Sequence, residues 1–333
     1  MKRVLVTGGG GFVGLAIVKK LIELGVDTSV VGRHHYPSVE RLGAHCLVGD
    51  IRNREFMIQA VAGHDTVFHA AAKAGIWGRR ASYFSVNVAG TENVIAACEK
   101  NRVRTLVQTS TPSVVFDGRD LLGADESLPY SNDPLCHYAV TKIQAEKKIL
   151  AANSEKMKTA AIRPHLVWGP GDTQIIPRLL QRGRQRSLKI VGTGKNLVDI
   201  AYIDNVAHAH ILAAQNLEAN GGAAGEAFFV SQGKPVVLWE WINDLFSRLE
   251  VPAVKKKVSF RAAYRVGWFL EKLYDALLLK KEPGMTRFLA EQLAMSHWFS
   301  IEKAQTVLSY SPLISTENGL DKLVDWLAEQ SLP

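Results

Sequence analysis

Short apolar runs alternate with longer amphipathic stretches over the first half of the chain. Val4-Leu5-Val6, Asp27 to Val31, Cys46-Leu47-Val48, Thr66 to Ala72 and Thr105 to Thr109 read as strands. The stretches between them, beginning with Phe12 to Leu24 and continuing through Asn87 to Cys98, read as helices. Strands alternating with helices at this spacing predict an α/β fold, a Rossmann-type doubly wound parallel sheet that binds ligands at the carboxyl ends of its strands. The rhythm changes after Pro170, where a helix over Ile175 to Arg186, a strand over Lys189 to Val191, a helix over Asn205 to Gln215 and a strand over Ala227 to Ser231 follow. These predict a larger domain in 1–170, with returning segments near 199–215 and 226–231, and a smaller α/β lobe over 171–333.

Composition narrows the class. The 333 residues are 47% hydrophobic and 22% charged, which excludes a disordered chain and suffices for one large or two modest domains. No run approaches the ~20 uninterrupted apolar residues of a spanning helix, and Met1 leads straight into a strand without a signal-peptide pattern, so a cytoplasmic location is expected. Cys46, Cys98 and Cys136 give neither a paired disulfide framework nor a CxxC knuckle and read as small buried or half-buried residues. The histidines form no HExxH pattern, and His208 and His210 point to different faces of their helix, so no metal site is predicted. A formal charge of +8 favours acidic ligands or an acidic partner surface. The basic residues are dispersed, with short clusters at Arg182-Arg184-Arg186, Lys255-Lys256-Lys257 and Lys280-Lys281, which speaks against nucleic acid.

The first strand breaks into Gly8-Gly9-Gly10-Gly11-Phe12-Val13-Gly14, which satisfies two dinucleotide fingerprints, Gly9-x-Gly11-x-x-Gly14 and Gly8-x-x-Gly11-x-x-Gly14. Glycines without Cβ permit the tight turn and let backbone N–H groups approach a pyrophosphate, held at the positive end of the helix from Phe12. An NAD site carries a carboxylate roughly 20 residues further on for the ribose 2′-OH. Here Gly32-Arg33-His34-His35 stands in that place. A guanidinium would grip a 2′-phosphate bidentately, so Arg33 predicts NADP(H) in preference to NAD(H). Asp50 and Ile51 would flank the adenine, and Ala70 and Ala71 are small enough to let backbone pass close to the cofactor.

Further on, Tyr138-Ala139-Val140-Thr141-Lys142 lies in a helix running to about Ala152. Tyrosine and lysine at i and i+4 share one face, and an ammonium beside the phenol favours phenolate. Tyr138 is therefore expected to have a lowered pKa and to serve as an acid/base near neutrality. A hydroxyl cluster, Thr109-Ser110-Thr111-Pro112-Ser113, precedes it at the end of the fifth strand.

Gly8/Gly11/Gly14, Asp50, His69-Ala70-Ala71, Asn87-Val88-x-Gly90-Thr91, Thr109-Ser110-Thr111, Tyr138-x-x-x-Lys142 and Arg163-Pro164-x-x-Val167-x-Gly169-Pro170, in that order, resemble an extended short-chain dehydrogenase/reductase. Gly192-Thr193-Gly194, Tyr202 to His210, Phe228 to Pro235 and Pro283 to Phe288 are similar to the 3β-hydroxysteroid dehydrogenase and sterol-4α-carboxylate 3-dehydrogenase branch. Within it, Ala71 to Gly78, Thr109 to Val114 and Leu166 to Asp172 most resemble bacterial 2-alkyl-3-oxoalkanoate reductases, which serve long-chain olefin synthesis. The resemblance implies Tyr138 as proton donor, Lys142 as its pKa partner and ribose ligand, and Thr111 as the hydroxyl that orients the substrate oxygen, with Ser110 and Ser113 close enough to compete for that part. It implies reduction of a long-chain acyl-derived 3-oxo acid with a nicotinamide cofactor, is silent on which one because Gly32-Arg33 departs from the NAD-type version with its acid, and leaves open a complex with other enzymes of olefin synthesis and a homodimer.

A 3-oxo acid loses its carboxyl group readily while the ketone can accept the electrons, so a reductase gains from gripping the carboxylate. Lys73 and Arg79, with Trp77 between them as an apolar wall, follow the fourth strand on the loop expected to face the nicotinamide, and Ser113 of the hydroxyl cluster is a further candidate for contact with the substrate. The apolar, charge-interrupted segment from Ser259 to Leu279 cannot span a membrane; a packed helix, an acyl-channel wall, a partner surface and peripheral membrane contact all fit it. Three alternatives stand beside the reductase. They are the reverse reaction on a 3β-hydroxysteroid or sterol carboxylate, an NAD-dependent sugar-nucleotide epimerase, against which that apolar segment speaks, and a non-catalytic NADPH-sensing module, which would not need the Tyr138–Lys142 pair.

Overall fold

Seven parallel strands build the central sheet in the order Glu226–Val230, Lys158–Pro164, Thr105–Thr109, Thr66–His69, Arg3–Thr7, Asp27–Gly32 and His45–Val48 in the computed structural model, which describes residues 1–330. The final three residues of the expected lobe lie outside the described residues. Arg3–Thr7 is the strand from which the order departs in both directions, with Leu5 opposite Ser29 on one side and Val67 on the other. A crevice at its carboxyl end follows from that reversal. Helices cover both faces, which is why the strands read as continuous apolar runs. Val4 and Val6 face Ile17, Val18 and Leu21, whereas Leu5, Val67 and Leu106 face Met57, Val94 and Cys98.

The five strands expected in the first half lie where the pattern places them, except that the fourth stops at His69 and does not run to Ala72. Beyond His69 the amides of Ala70 and Ala71 turn to the Thr7 carbonyl (3.2 Å) and hydroxyl (3.3 Å), so the backbone leaves the ladder to cross the glycine turn. The strand expected at Ala227 to Ser231 is Glu226–Val230 and adds to the edge of the central sheet beside Lys158–Pro164. Lys189 to Val191 shrinks to Ile190–Val191, paired with Lys257–Val258. A second sheet, unannounced by any long alternating run, joins Val236–Val237, Leu197–Val198, His297–Phe299 and Leu121–Ala124.

Phe260–Ala276 is a helix whose start is capped by Ser259 and which buries only Ala263, Gly267 and Glu271. Gly267 is required by close packing: a Cβ there would stand 2.5 Å from the Thr286 carbonyl carbon and 2.7 Å from the Arg287 nitrogen. Among the described residues no helix is long and apolar enough to cross a membrane.

Candidate active site

The turn after the first strand is built from positions that exclude side chains. Gly8 has φ +71°, and a Cβ there would meet Ala71 Cα at 2.8 Å; one on Gly14 would stand 2.2 Å from the Gly8 carbonyl oxygen. Gly11 begins the Phe12–Glu23 helix and supplies no side-chain acceptor to its first-turn amides. Those amides, around Phe12, Val13 and Gly14, together with the bare glycine surface, fit a pyrophosphate. Tyr36, which the sequence did not single out, lies over this turn, because Cβ atoms on Gly10 and Gly32 would come within 2.4 and 2.3 Å of its ring.

Arg33 is exposed at the end of the second strand, and its charge reaches Asp50. The Asp50 carboxylate accepts from Arg52 Nε at 3.0 Å and Nη2 at 2.6 Å. Those bonds hold it below the usual carboxylate range, against partial burial and with a smaller contribution from Arg33. Ile51 is buried against Gly90, and its carbonyl accepts from Asn93 Nδ2 at 3.0 Å. Arg52 was also missed; its signal was its place two residues beyond Asp50.

His137–Ala151 is the helix that carries Tyr138 and Lys142. Lys142 is only 3% exposed, and its Nζ donates to the Thr109 carbonyl at 2.5 Å. Burial lowers its pKa to about 8, opposed by the charge of Glu146 one turn further along. Tyr138 keeps some exposed surface but is densely surrounded, and burial pushes it up to about 12. A hydrogen bond with Thr111 works against that rise, while Cys136 and Tyr83 add to it. The expected lowering of Tyr138 by Lys142 is thus not found: the ammonium is spent on the end of a neighbouring strand.

The hydroxyl cluster sorts itself by partner. Thr111 is buried and bonds Tyr138, and its Oγ1 also accepts from the Ser113 amide at 3.2 Å. Ser113 Oγ accepts from Thr111 at 3.2 Å, whereas Ser110 donates to the buried carboxylate of Glu146. Glu146 also pairs with Arg163 at 2.5 Å and accepts from Tyr130 at 2.9 Å. The helix is anchored on its other side by Asn87, in the π-helical turn Phe84–Ala89: its Oδ1 accepts from the Lys73 amide (2.7 Å), and its Nδ2 donates to the Lys73 carbonyl (3.1 Å) and to Thr141 (3.0 Å). Thr7, His69 and Thr91 form a further buried chain through contacts of 2.8 and 2.9 Å. Burial lowers the pKa of His69 to about 3, so the ring is neutral.

A cleft of about 580 Å³ starts where the Tyr138 helix begins, at Cys136 and His137, and brings Lys73, Trp77 and Arg79 together along one wall. Tyr83 orders that wall by donating to the carbonyls of Gly75 and Trp77, both at 2.9 Å, and Lys73 Nζ stands 5.0 Å from its ring centre. The other wall runs from Glu271 to Phe288; as far as Leu279 it belongs to the apolar segment for which a channel wall was one of the readings left open, whereas Thr286 to Phe288 were not expected there. There Arg287 Nε is paired with Glu271 at 2.7 Å. Tyr138, Lys142, Thr111 and Ser113 are not part of the cleft lining, which reaches only the start of their helix, and Ser113 remains beside Thr111. A wider depression of about 810 Å³ along the outer sheet edge, around His45 and Gln59, holds none of these groups. Among the described residues no cluster of His, Cys, Asp and Glu could hold a metal ion.

Residues 5–260 match the family model described as the 3-beta hydroxysteroid dehydrogenase/isomerase family. A 2-alkyl-3-oxoalkanoate reductase of Stenotrophomonas maltophilia (strain K279a) is 47% identical over 324 residues, covering 96% of this chain and 98% of the relative. The mouse (Mus musculus) sterol-4-alpha-carboxylate 3-dehydrogenase, decarboxylating, is 33% identical over 328 residues, 97% of this chain and 90% of its own. Among solved structures, gox2253 superimposes with a TM-score of 0.80 at 24% identity over 99% of both chains. MoeE5 in complex with UDP-glucose and NAD gives 0.76 at 24% identity over 98% of this chain and 99% of its own. These last two share the fold. The chain belongs to the 3-beta hydroxysteroid dehydrogenase/isomerase family and is an NAD(P)-dependent oxidoreductase of the extended short-chain dehydrogenase/reductase type.

Proposed function

We propose that the protein reduces the 3-oxo group of a long-chain 2-alkyl-3-oxoalkanoate to the 3-hydroxy acid, with NADPH preferred over NADH, as a step of long-chain olefin synthesis. The observation that carries this proposal is the cleft that begins at the Tyr138 helix. On its walls Arg287 is already neutralised by Glu271, whereas Lys73 makes no ion pair among the described residues and is free to take a carboxylate. The relative at 47% identity bears the name of this activity. The mouse relative's name also places a carboxylate next to the reacting carbon, so the cleft is compatible with sterol carboxylates and the substrate panel below must separate the two.

Tyr138, held near pKa 12, keeps its proton at physiological pH and in this reading gives it to the forming alkoxide. Thr111, bonded to Tyr138, orients the ketone oxygen. Lys142 supplies positive charge beside the ribose position and fixes the end of the Thr105–Thr109 strand. The Gly8–Gly14 turn with Phe12 and Val13 would hold the pyrophosphate, Ala70 and Ala71 the closest backbone approach, Asp50 and Ile51 the adenine, and Arg33 the 2′-phosphate. Bound NADPH supplies the hydride. In this division residues 1–170 with the segments near 199–215 and 226–231 serve the cofactor, and the chain from 171 onward mainly serves the substrate.

The test is NADPH consumption by purified protein with a panel of 2-alkyl-3-oxo acids, steroids, sterol carboxylates and UDP-sugars. Turnover of the 3-oxo acids above all others is expected. Tyr138→Phe should keep the Kd for NADPH and lose turnover by at least ~100-fold. Faster turnover of a sterol or a UDP-sugar would replace the substrate assignment, and near-wild-type kcat in Tyr138→Phe would remove Tyr138 from its role.

A further inference from the structure

Seven of the eleven exposed large apolar side chains among the described residues lie between Val266 and Leu279. At ~100° per residue, Val266, Phe269 and Leu273 fall on one stripe of the Phe260–Ala276 helix, continued by Leu277 at its end, beside the inner face formed by Ala263, Gly267 and Glu271. The stripe is not covered by the other described residues: Phe269 is 59% exposed, and Leu278 just past the helix 81%. A patch of this kind marks an interaction surface.

The charges around the stripe choose its occupant. Arg261, Arg265, Lys272, Lys280 and Lys281 are all exposed, against a single exposed acid over 260–281, Asp275. Glu271 is turned inward onto Arg287. Two copies of this face set against each other in a two-fold contact would bring like charges together. An anionic phospholipid surface accepts both parts, taking the apolar stripe into the acyl boundary while the long cationic side chains reach its phosphates. The ridge also continues into the cleft. Tyr274, Leu278, Leu279 and Lys280 line the same cavity as Lys73 and His137, and Trp77 Nε1 donates to the Leu279 carbonyl at 3.2 Å.

We propose that the outer stripe of the Phe260–Ala276 helix, with Leu277 to Lys281, docks the enzyme on an anionic phospholipid surface, so that the cleft opens onto the leaflet and takes its substrate from it. The uptake part rests on the long-chain substrate proposed above; the docking part does not. A long acyl chain then moves from lipid to cleft without crossing water, its carboxylate reaching Lys73 last. The helix lies on the bilayer and does not cross it.

Flotation of the full chain with phosphatidylcholine vesicles, with and without about 30% phosphatidylglycerol, tests docking directly. Binding is expected to the anionic vesicles, to be at least tenfold weaker on the neutral ones, and to be largely lost at about 0.5 M salt. Phe269→Glu combined with Leu273→Glu, both at exposed positions outside the cleft lining, should abolish flotation and leave activity on a short, soluble 3-oxo acid unchanged. The same variant should lose at least tenfold in rate on a long-chain acid carried in the vesicles. Wild type that stays with the soluble fraction at low salt, or a variant that floats as wild type does, overturns the proposal. So does a stable dimer that the double substitution dissociates, since the face would then belong to a second copy. Flotation without turnover of any 3-oxo acid would leave docking standing and remove the substrate assignment and the uptake built on it.

Discussion

Lys142 donates from its buried Nζ to the carbonyl of Thr109 at 2.5 Å, tying the helix that bears Tyr138 to the end of a central strand. The bond keeps a cation in a place where burial has lowered its pKa to about 8. In the free enzyme Lys142 therefore discharges within the range of an ordinary pH profile. We expect kcat/KM for reduction to fall by about tenfold per pH unit above about 8, while Tyr138, near 12, keeps its proton throughout. The stability effect has the same origin. Because the folded-state pKa of Lys142 is depressed, its contribution is most favourable above its ordinary 10.5 and is lost as pH falls toward about 8. The raised value of Tyr138 acts in the opposite sense, its contribution being present below 10 and lost as pH rises toward about 12. A flat kcat/KM from pH 7 to about 9.5 would show that Lys142 does not titrate where its burial places it.

Arg33 is exposed, whereas Arg52 is already held by Asp50, so of the two guanidiniums near the proposed adenosine end of the site Arg33 is, among the described residues, the one without an ion-pair partner. Arg33→Ala should cost about 1.5 to 3 kcal/mol of NADPH binding, on the order of 10 to 150-fold in Kd, and leave NADH binding nearly unchanged. Titration of both cofactors against the variant checks this, and equal affinities in the wild type would remove the preference altogether.

The parts of this site that could be read from the sequence are those set by local rules. The glycine turn announces itself because Gly8 and Gly14 admit no Cβ, and the strand pattern because each strand is buried on both faces. Tyr138 and Lys142 share a helix face by spacing alone, yet spacing did not say that the lysine would turn to Thr109 or that burial would raise the tyrosine. The cleft was half legible. Lys73, Trp77 and Arg79 follow directly from the fourth strand, but the facing wall comes from residues some two hundred positions later, brought there by the close approach of Gly267 to Thr286. Asn87 stood in a recognised motif without a role, because its three bonds join a loop and a helix that are distant in sequence.

Glu146 and Arg163 form a buried ion pair behind Lys142, with Ser110 and Tyr130 on the same carboxylate and Arg163 Nη1 without a hydrogen-bond partner among the described residues. Removing one member strands the other charge in the interior. Arg163→Met alone should cost about 3 to 5 kcal/mol in urea unfolding, and Glu146→Leu with Arg163→Met together should cost clearly less than the two single changes added. Additive losses would mean that the two side chains contribute separately, through packing and not as a pair.

Recognition of a carboxylate beside the reacting carbon is what separates the proposed reaction from simple ketone chemistry. Reduction removes the electron sink that makes a 3-oxo acid lose carbon dioxide, so the acid must be held intact until hydride has arrived. Lys73 is suited to that task. Its backbone is clamped on both sides by Asn87, its ammonium lies over the Tyr83 ring without an ion-pair partner among the described residues, and it shares the cleft with the start of the Tyr138 helix. In the reverse direction, long-chain 2-alkyl-3-hydroxy acids should be oxidised with NADP much faster than secondary alcohols of equal length that lack the carboxylate. Lys73→Ala should narrow that gap by on the order of 10-fold, the scale of one charge-assisted hydrogen bond, and leave NADPH binding unchanged. Arg79, more exposed and at the outer end of the same wall, should matter less. If the gap is absent in the wild type, or survives intact in Lys73→Ala, the carboxylate is not read by this residue, and Arg287 released from Glu271 becomes the cation to examine on the facing wall.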